Sequence, residues 1–373
     1  MLILNRYNRQ ITAPPLKHIL GIDQLRYIFA LWVFFFHGGL PPLFAGHVNT
    51  KAFEFLEHLY GWLINGQAAV ICFFIISGLC IHYPNIRRNS LDLKSFYTAR
   101  FLRLSLPLIA CLIIGKLANF QHPNGFLRVV PIWTLYCEGF YYLIYPLILV
   151  VIKKGMLIQL ILLMSLISIV LIITWAADRQ MYFHEIGDGG FLDWKPALLA
   201  FPCWLAGVLI AERVSDASNT NKISNDKQNP LLRWRLGALF FSGFTFPLYR
   251  LGLYLKIVTL PFIGLIFTTQ FTILLFGLYA FFWIEKEVLY HNFGNAESSV
   301  LLERFGLASY SLYLIHTLVF WAFNKYPAAY FPGYLIFWIL MLATLHLIVY
   351  AFYIIIEKPS HKLAKFCANK LRN

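Results

Sequence analysis

Three ionisable side chains share one apolar stretch, GIDQLRYIFALWVFFFHGG: Asp23, Arg26 and His37. Arg26 and His37 stand eleven positions apart, which on a helix leaves them only about 20° apart in angle and roughly 16 Å apart along the axis. Asp23 lies one turn before Arg26 on nearly the same face. Such a stripe on a Phe- and Leu-rich helix should face a polar interior, because an ionisable group at bilayer depth is costly unless paired or hydrated. Asp23 and Arg26 also admit a plainer role as a structural pair, with His37 bonding a carbonyl. A second apolar run, VVPIWTLYCEGFYYLIYP, carries one carboxylate, Glu138. Nothing local is expected to pair with it at helical i,i+4 spacing, so its expected partner comes from another helix, with His37 and Arg26 the candidates. A third, SFYTARFLRLSLP, brings Arg100 and Arg103 onto one helix face. Guanidinium forks at that spacing suit phosphate, whether of a ligand or of a lipid headgroup. His316 and His346 read as structural, and Glu357-Lys358-Pro359 as a helix end with an interfacial ion pair. The six cysteines form no CxxC pair, and five of them read as small buried apolar residues. No Walker A loop, GxGxxG, HExxH, GxSxG or Cys/His metal spacing occurs, so no metal is expected.

The elements that must hold these groups are membrane helices. Of 373 residues, 59% are hydrophobic and 13% charged. Soluble domains run near 45–50% apolar and about a quarter charged, so a single water-soluble core does not accommodate this chain. About ten spans of roughly 20 apolar residues are predicted, near 20–40, 65–83, 101–119, 129–151, 156–177, 196–211, 236–250, 256–284, 306–324 and 334–357. The longest, Ile257 to Ile284, carries no charge and is long enough to cross with tilt. The fold class is therefore all-α, a polytopic helical bundle. Residues 1–19 form an N-terminal segment, 20–357 the membrane domain with a flexible loop over 212–235, and 358–373 a basic tail. The net charge is +14, from 31 Lys and Arg against 17 Asp and Glu. Most of these basic residues fall in the N-terminal segment, the even-to-odd loops and the tail, which predicts both termini in the cytoplasm and no nucleic-acid partner. No cleavable signal peptide is expected, because the first 17 residues lack an apolar core.

Taken in order, GIDQLRYIFALWVFFFH, FFIISGLCI, SFYTARFLRLSLP, IWTLYCEGFYYLIYP, SYSLYLIH and IEKPSHKL resemble the blocks of the membrane-bound acyltransferase family 3, from about residue 20 to 365. The resemblance implies a stand-alone membrane O-acyltransferase of the cytoplasmic (inner) membrane. Such an enzyme takes acetyl from cytoplasmic acetyl-CoA and passes it to a hydroxyl of a carbohydrate, a surface polysaccharide or its lipid-linked precursor. No extracytoplasmic hydrolase-like domain is expected. The same resemblance makes His37 the essential histidine and Arg26 its basic partner, with Asp23 beside them. Arg100 and Arg103 match an RxxR element expected to hold the acetyl-CoA phosphates, and Glu138 matches an acidic position. The expected mechanism has His37 act as general base or carry the acetyl group transiently, with Glu138 orienting it. Cys137 departs from the pattern and is given no role. A transporter or flippase for an acyl group or lipid-linked sugar, with a His37/Glu138 proton relay, is the reading from another class.

Overall fold

The computed structural model describes residues 19–38, 51–86, 88, 90–120, 132–175, 194–220, 231–258, 260, 262–293, 298–324 and 334–372. Every regular element among them is a helix: α1 Ile22–Gly38, α2 Lys51–Leu63, α3 Gly66–His82, α4 Leu93–Leu117, α5 Ile132–Lys153, α6 Leu157–Trp175, α7 Lys195–Thr220, α8 Leu231–Gly243, α9 Thr245–Tyr254, α10 Thr269–Phe293, α11 Val300–Gly306, α12 Ser309–Asn324, α13 Tyr334–Phe352 and α14 Lys358–Lys370. The all-helical expectation holds, because a chain this apolar must satisfy its backbone within each segment to enter lipid. Seven stretches among the described residues are long and apolar enough to cross a membrane. The pair α11–α12, bent by 68°, makes an eighth. The ten predicted spans are thus not all matched by such a helix.

Several predicted boundaries move. The uncharged run 257–284 does not form one long helix. The chain turns through left-handed backbone at Lys256 (φ 55) and Phe262 (φ 65), makes a short 3₁₀ turn at Gly264–Phe267, and only then enters α10. Apolarity continues through this break, so hydropathy alone does not mark it. The 212–235 interval is narrower as a loop: α7 runs on to Thr220 and α8 resumes at Leu231. Residues 221–230 and the N-terminal segment 1–18 lie outside the described residues. The tail 358–370 is a helix packed along α4. α2 is an amphipathic addition that no apolar run announced; it is tied to α1 by the Tyr60 hydroxyl donating to the Phe35 carbonyl at 2.8 Å.

The interior is built around α3, which is buried along almost its whole length. Asn65 starts it, accepting from the Gln67 and Ala68 amides at 3.0 and 3.4 Å while its own amide donates to the Ser242 carbonyl. That cap satisfies amides that would otherwise be orphaned at a buried helix start. α3 and α7 share the most extensive interface of the bundle. Their backbones touch at paired glycines: a Cβ on Gly78 would stand 2.0 Å from the Trp204 carbonyl oxygen, and one on Gly207 1.8 Å from that of Ile75. Small residues at such crossings let membrane helices approach closely.

α1 lies at the seam between two apolar cores. Leu25, Phe29, Trp32 and Val33 pack into the core around α3, α7 and α10. Tyr27, Ala30 and Phe34 pack into the one around α12 and α13. Its start is fixed by a buried polar cluster, in which the Gln24 amide meets His291 Nε2 at 2.7 Å. Arg235 grips the fully buried Glu287 through Nε and Nη2 at 2.7 and 2.9 Å, and Trp283 donates to the same carboxylate. With both flanks locked, the polar stripe of α1 is held in one orientation.

Candidate active site

Two cavities that share four lining residues lie beside the start of α1. The mouth cavity, about 420 Å³, is lined by Asp23, Arg26, Tyr83, Arg100, Arg103 and His361, with Cys80 at its inner edge. The inner cavity, about 110 Å³, is lined by Ser77, Thr134, Glu138, Tyr142, Tyr310 and Tyr313 and by four residues of the first, Arg26, Cys80, Arg100 and Arg103. Three guanidinium groups from two helices therefore form a throat common to both. α4 supplies two of them because its N-cap, Asp92 accepting from the Ser95 amide, starts the helix so that positions 100 and 103 fall on the inward face.

Each arginine is supported differently. Arg26 Nη1 stands 3.5 Å from the Asp23 carboxylate one turn away, with 24% of its side chain exposed. The Arg100 guanidinium lies over the rings of Phe96 and Tyr142, 5.7 Å from each centroid, a cation–π arrangement. Arg103 has no ion-pair partner among the described residues; it feels the like charges of Arg26 and Arg100 and the opposite charge of Glu357. Concentrated positive charge at the rim of a low-dielectric cavity attracts and orients an anion.

Glu138 sits deeper, on α5. Its Oε1 accepts from the Ser77 hydroxyl at 2.9 Å and from the Tyr142 hydroxyl one turn along the same helix. Trp204 Nε1 donates to Ser77 Oγ at 3.3 Å, completing the cluster. Two expectations are therefore corrected, that nothing local pairs with Glu138 and that His37 or Arg26 does: a phenol on its own helix and a hydroxyl on α3 bond the carboxylate, and Arg26 meets it only through its charge. A phenol at i+4 is an adequate donor although it carries no charge, and a search for opposite charges passes over it. Toward the His37 end, the Thr134 and Tyr313 hydroxyls bond at 2.8 Å. One helical turn beyond Tyr313, the ring of His316 faces that of His37, with centroids 5.3 Å apart and planes tilted by 30°. His316 is fully buried, whereas His37, at the far end of α1, is exposed.

The structure thus gathers Arg26, Arg100, Arg103 and Glu138 around one cavity, with Asp23 behind Arg26, and sets His37 apart, about 16 Å beyond Arg26 along α1. It also bears on residues that the sequence treated as structural. Glu357 is 1% exposed and accepts from the Ser311 amide at 3.0 Å and from its hydroxyl. It closes a π-helical turn, Tyr353–Glu357, that turns its carboxylate inward. The interfacial ion pair read at Glu357-Lys358 is therefore replaced by a buried carboxylate whose charge reaches Arg26 and Arg103. Cys80 lines the throat while packing against the core, and Cys137 is buried in the core at 1% exposure. His346 is structural, bonding the Tyr27 hydroxyl at 2.7 Å and the Leu342 carbonyl at 2.8 Å.

Over residues 19–356 the chain matches the acyltransferase 3 family model, described as an acyltransferase domain. No curated protein and no solved structure matches it. The match spans the charged throat, α12 and every apolar helix between α1 and α13. On that ground the chain belongs to acyltransferase family 3 and is an integral membrane acyltransferase.

Proposed function

We propose that this acyltransferase takes acetyl from cytoplasmic acetyl-CoA and transfers it to a hydroxyl of a carbohydrate, a surface polysaccharide or its lipid-linked precursor. It does so in the inner membrane with both termini inside, the orientation that the basic loops favour. The observation that carries this reading is the guanidinium throat shared by the mouth and inner cavities. Two arginines three residues apart on α4 and a third on α1 match a donor that carries several phosphates at one end and a thioester at the other. Arg100 and Arg103 hold the phosphates, and Arg26, steadied by Asp23, guides the arm inward. Glu138 offers carboxylate oxygens to the amide N–H groups of that arm. His37, exposed at the far end of α1, takes the proton of the acceptor hydroxyl as its oxygen bonds the acetyl carbon. The carbon–sulfur bond breaks, and the released thiolate recovers that proton.

Membranes carrying the protein, supplied with radiolabelled acetyl-CoA, test this. Base-labile label should enter the glycan or glycolipid fraction with the wild type and fall to background with His37→Ala or Arg26→Ala. Label at the wild-type level in both variants, with normal amounts of protein in the membrane, overturns the reading.

A further inference from the structure

His316 is a buried histidine with half of its hydrogen-bonding capacity unused. Its Nδ1 lies 2.8 Å from the Tyr313 carbonyl oxygen, one turn back on α12. A carbonyl only accepts, so Nδ1 carries the proton and Nε2 carries the lone pair of the neutral ring. That Nε2 is fully buried and has no hydrogen-bond partner among the described residues. Buried acceptors are rarely left so, and each one asks for a reason. The walls around it are largely aromatic: the Tyr313 ring lies 6.0 Å away and the Phe320 ring meets it edge-on at 6.4 Å. The polar ring within reach is that of His37, 5.3 Å between centroids. No direct hydrogen bond joins the two rings, and the gap between them is one that a single water can bridge.

We propose that His316 is the positioning residue of His37. Its Nε2 accepts a hydrogen bond from one bridging water, to which the nearer nitrogen of His37 donates. The farther nitrogen of His37 is then the one without a proton. This deepens the acyltransferase reading and rests on it: a general base needs its lone pair aimed at the acceptor hydroxyl, and an imidazole has two tautomers. During transfer the hydroxyl proton moves to the farther nitrogen of His37, the hydroxyl oxygen bonds the acetyl carbon, and CoA leaves as thiolate. The imidazolium that forms keeps its bridged bond to His316 and gives a proton back to the thiolate. The arrangement uses a neutral histidine where hydrolytic triads use a carboxylate. In this chain Glu138 does not take that place, since Ser77 and Tyr142 occupy it.

Two measurements on the full-length protein in detergent or membranes test the pairing. The first is the rate at which diethyl pyrocarbonate modifies His37, located by peptide mass spectrometry, a readout that needs no acceptor. The second is acetyl transfer from labelled acetyl-CoA, resolved into kcat and KM. His316→Gln sets an amide near the position of Nε2 and should keep His37 modification and kcat within about threefold of wild type. His316→Ala, and His316→Asn, which mimics Nδ1 alone, should lower both about tenfold with KM for acetyl-CoA unchanged. Wild-type rates in folded His316→Asn or His316→Ala overturn the proposal, as do equal losses in the Gln and Asn variants. A wild type that transfers no acetyl but shows this order of His37 modification refutes the acyltransferase reading and leaves the pairing standing.

Discussion

Arg103 gives the sharpest test of the throat, because its charge is not used up inside the protein. Asp23 stands beside Arg26, and Arg100 lies over the rings of Phe96 and Tyr142, whereas Arg103 lines both cavities with no ion-pair partner among the described residues. A guanidinium and a phosphate about 4 Å apart attract by about 4 kcal/mol at an effective dielectric of about 20. Desolvation of both groups reduces this, and hydrogen bonds to charged groups are worth a net of about 1.5–3 kcal/mol. At about 1.4 kcal/mol per decade, Arg103→Ala should therefore raise KM for acetyl-CoA by about 10- to 150-fold. If the arginine grips ground state and transition state alike, kcat stays within about threefold. Arg103→Lys keeps the charge but loses the fork, so its KM should fall between the two. The assay is initial-rate acetyl transfer in membranes, repeated with S-acetylpantetheine, a donor without the nucleotide phosphates. The wild type should handle that short donor poorly, and Arg103→Ala should handle it no worse. Raising ionic strength should increase KM for acetyl-CoA more steeply in the wild type than in the variant. A KM shift below twofold with acetyl-CoA, or an equal penalty with both donors, would refute the assignment of Arg103 to phosphate.

The remaining predictions concern what holds the site in place. Gly207→Ala would put a methyl group 1.8 Å from the Ile75 carbonyl oxygen, where the obstacle is backbone and cannot rotate away. α3 and α7 must then separate at a cost of at least about 1–3 kcal/mol, seen as a lower Tm in detergent and less monodisperse protein; an unchanged Tm would show that the crossing is looser than described. Glu287→Gln removes the charge that holds Arg235 and weakens the support of His291 and Gln24 at the start of α1. Breaking a buried ion pair costs about 3–5 kcal/mol, but with 41% of the Arg235 side chain exposed the lower half of that range or less is expected. Stability equal to wild type would assign the cluster no part in positioning α1.

Much of the site was legible because ionisable residues are conspicuous in apolar sequence. Asp23, Arg26 and His37 share a face by arithmetic, and the three-residue spacing of Arg100 and Arg103 already implies a common direction. The structure brings Arg26, Arg100 and Arg103 onto one throat, as a polar interior requires. Helix boundaries were harder to read where the signal is conformational. The turn at Lys256–Phe262 depends on backbone angles that apolar residues do not announce, so the run 257–284 reads as continuous. Partners were hardest, because they depend on packing between distant segments. Glu138 is answered by Tyr142, on its own helix, and by Ser77, 61 positions away, and neither carries a charge. The role of Glu357 depends on a π-helical turn and on Ser311, 46 positions earlier.

The separation of the throat from His37 constrains how such an enzyme works. Charge is concentrated at one end of the path, where Glu357 and Asp23 oppose the three arginines without cancelling them. Among the described residues, the contacts given beyond Glu138 toward His37 are neutral: Thr134 with Tyr313, then His316. A polyanionic group held by the guanidiniums would pay heavily to move further, because that stretch offers hydroxyls and aromatic rings in place of cations. A neutral thioester arm carries no such penalty. On the proposed reading the charge gradient would act as a stop as well as a grip, holding the phosphates of the donor at the mouth while its acyl end alone advances toward His37. An anionic acyl group, such as a dicarboxylic half-ester, should be captured at the throat and remain there, and this makes neutral acyl donors the chemistry that the path favours.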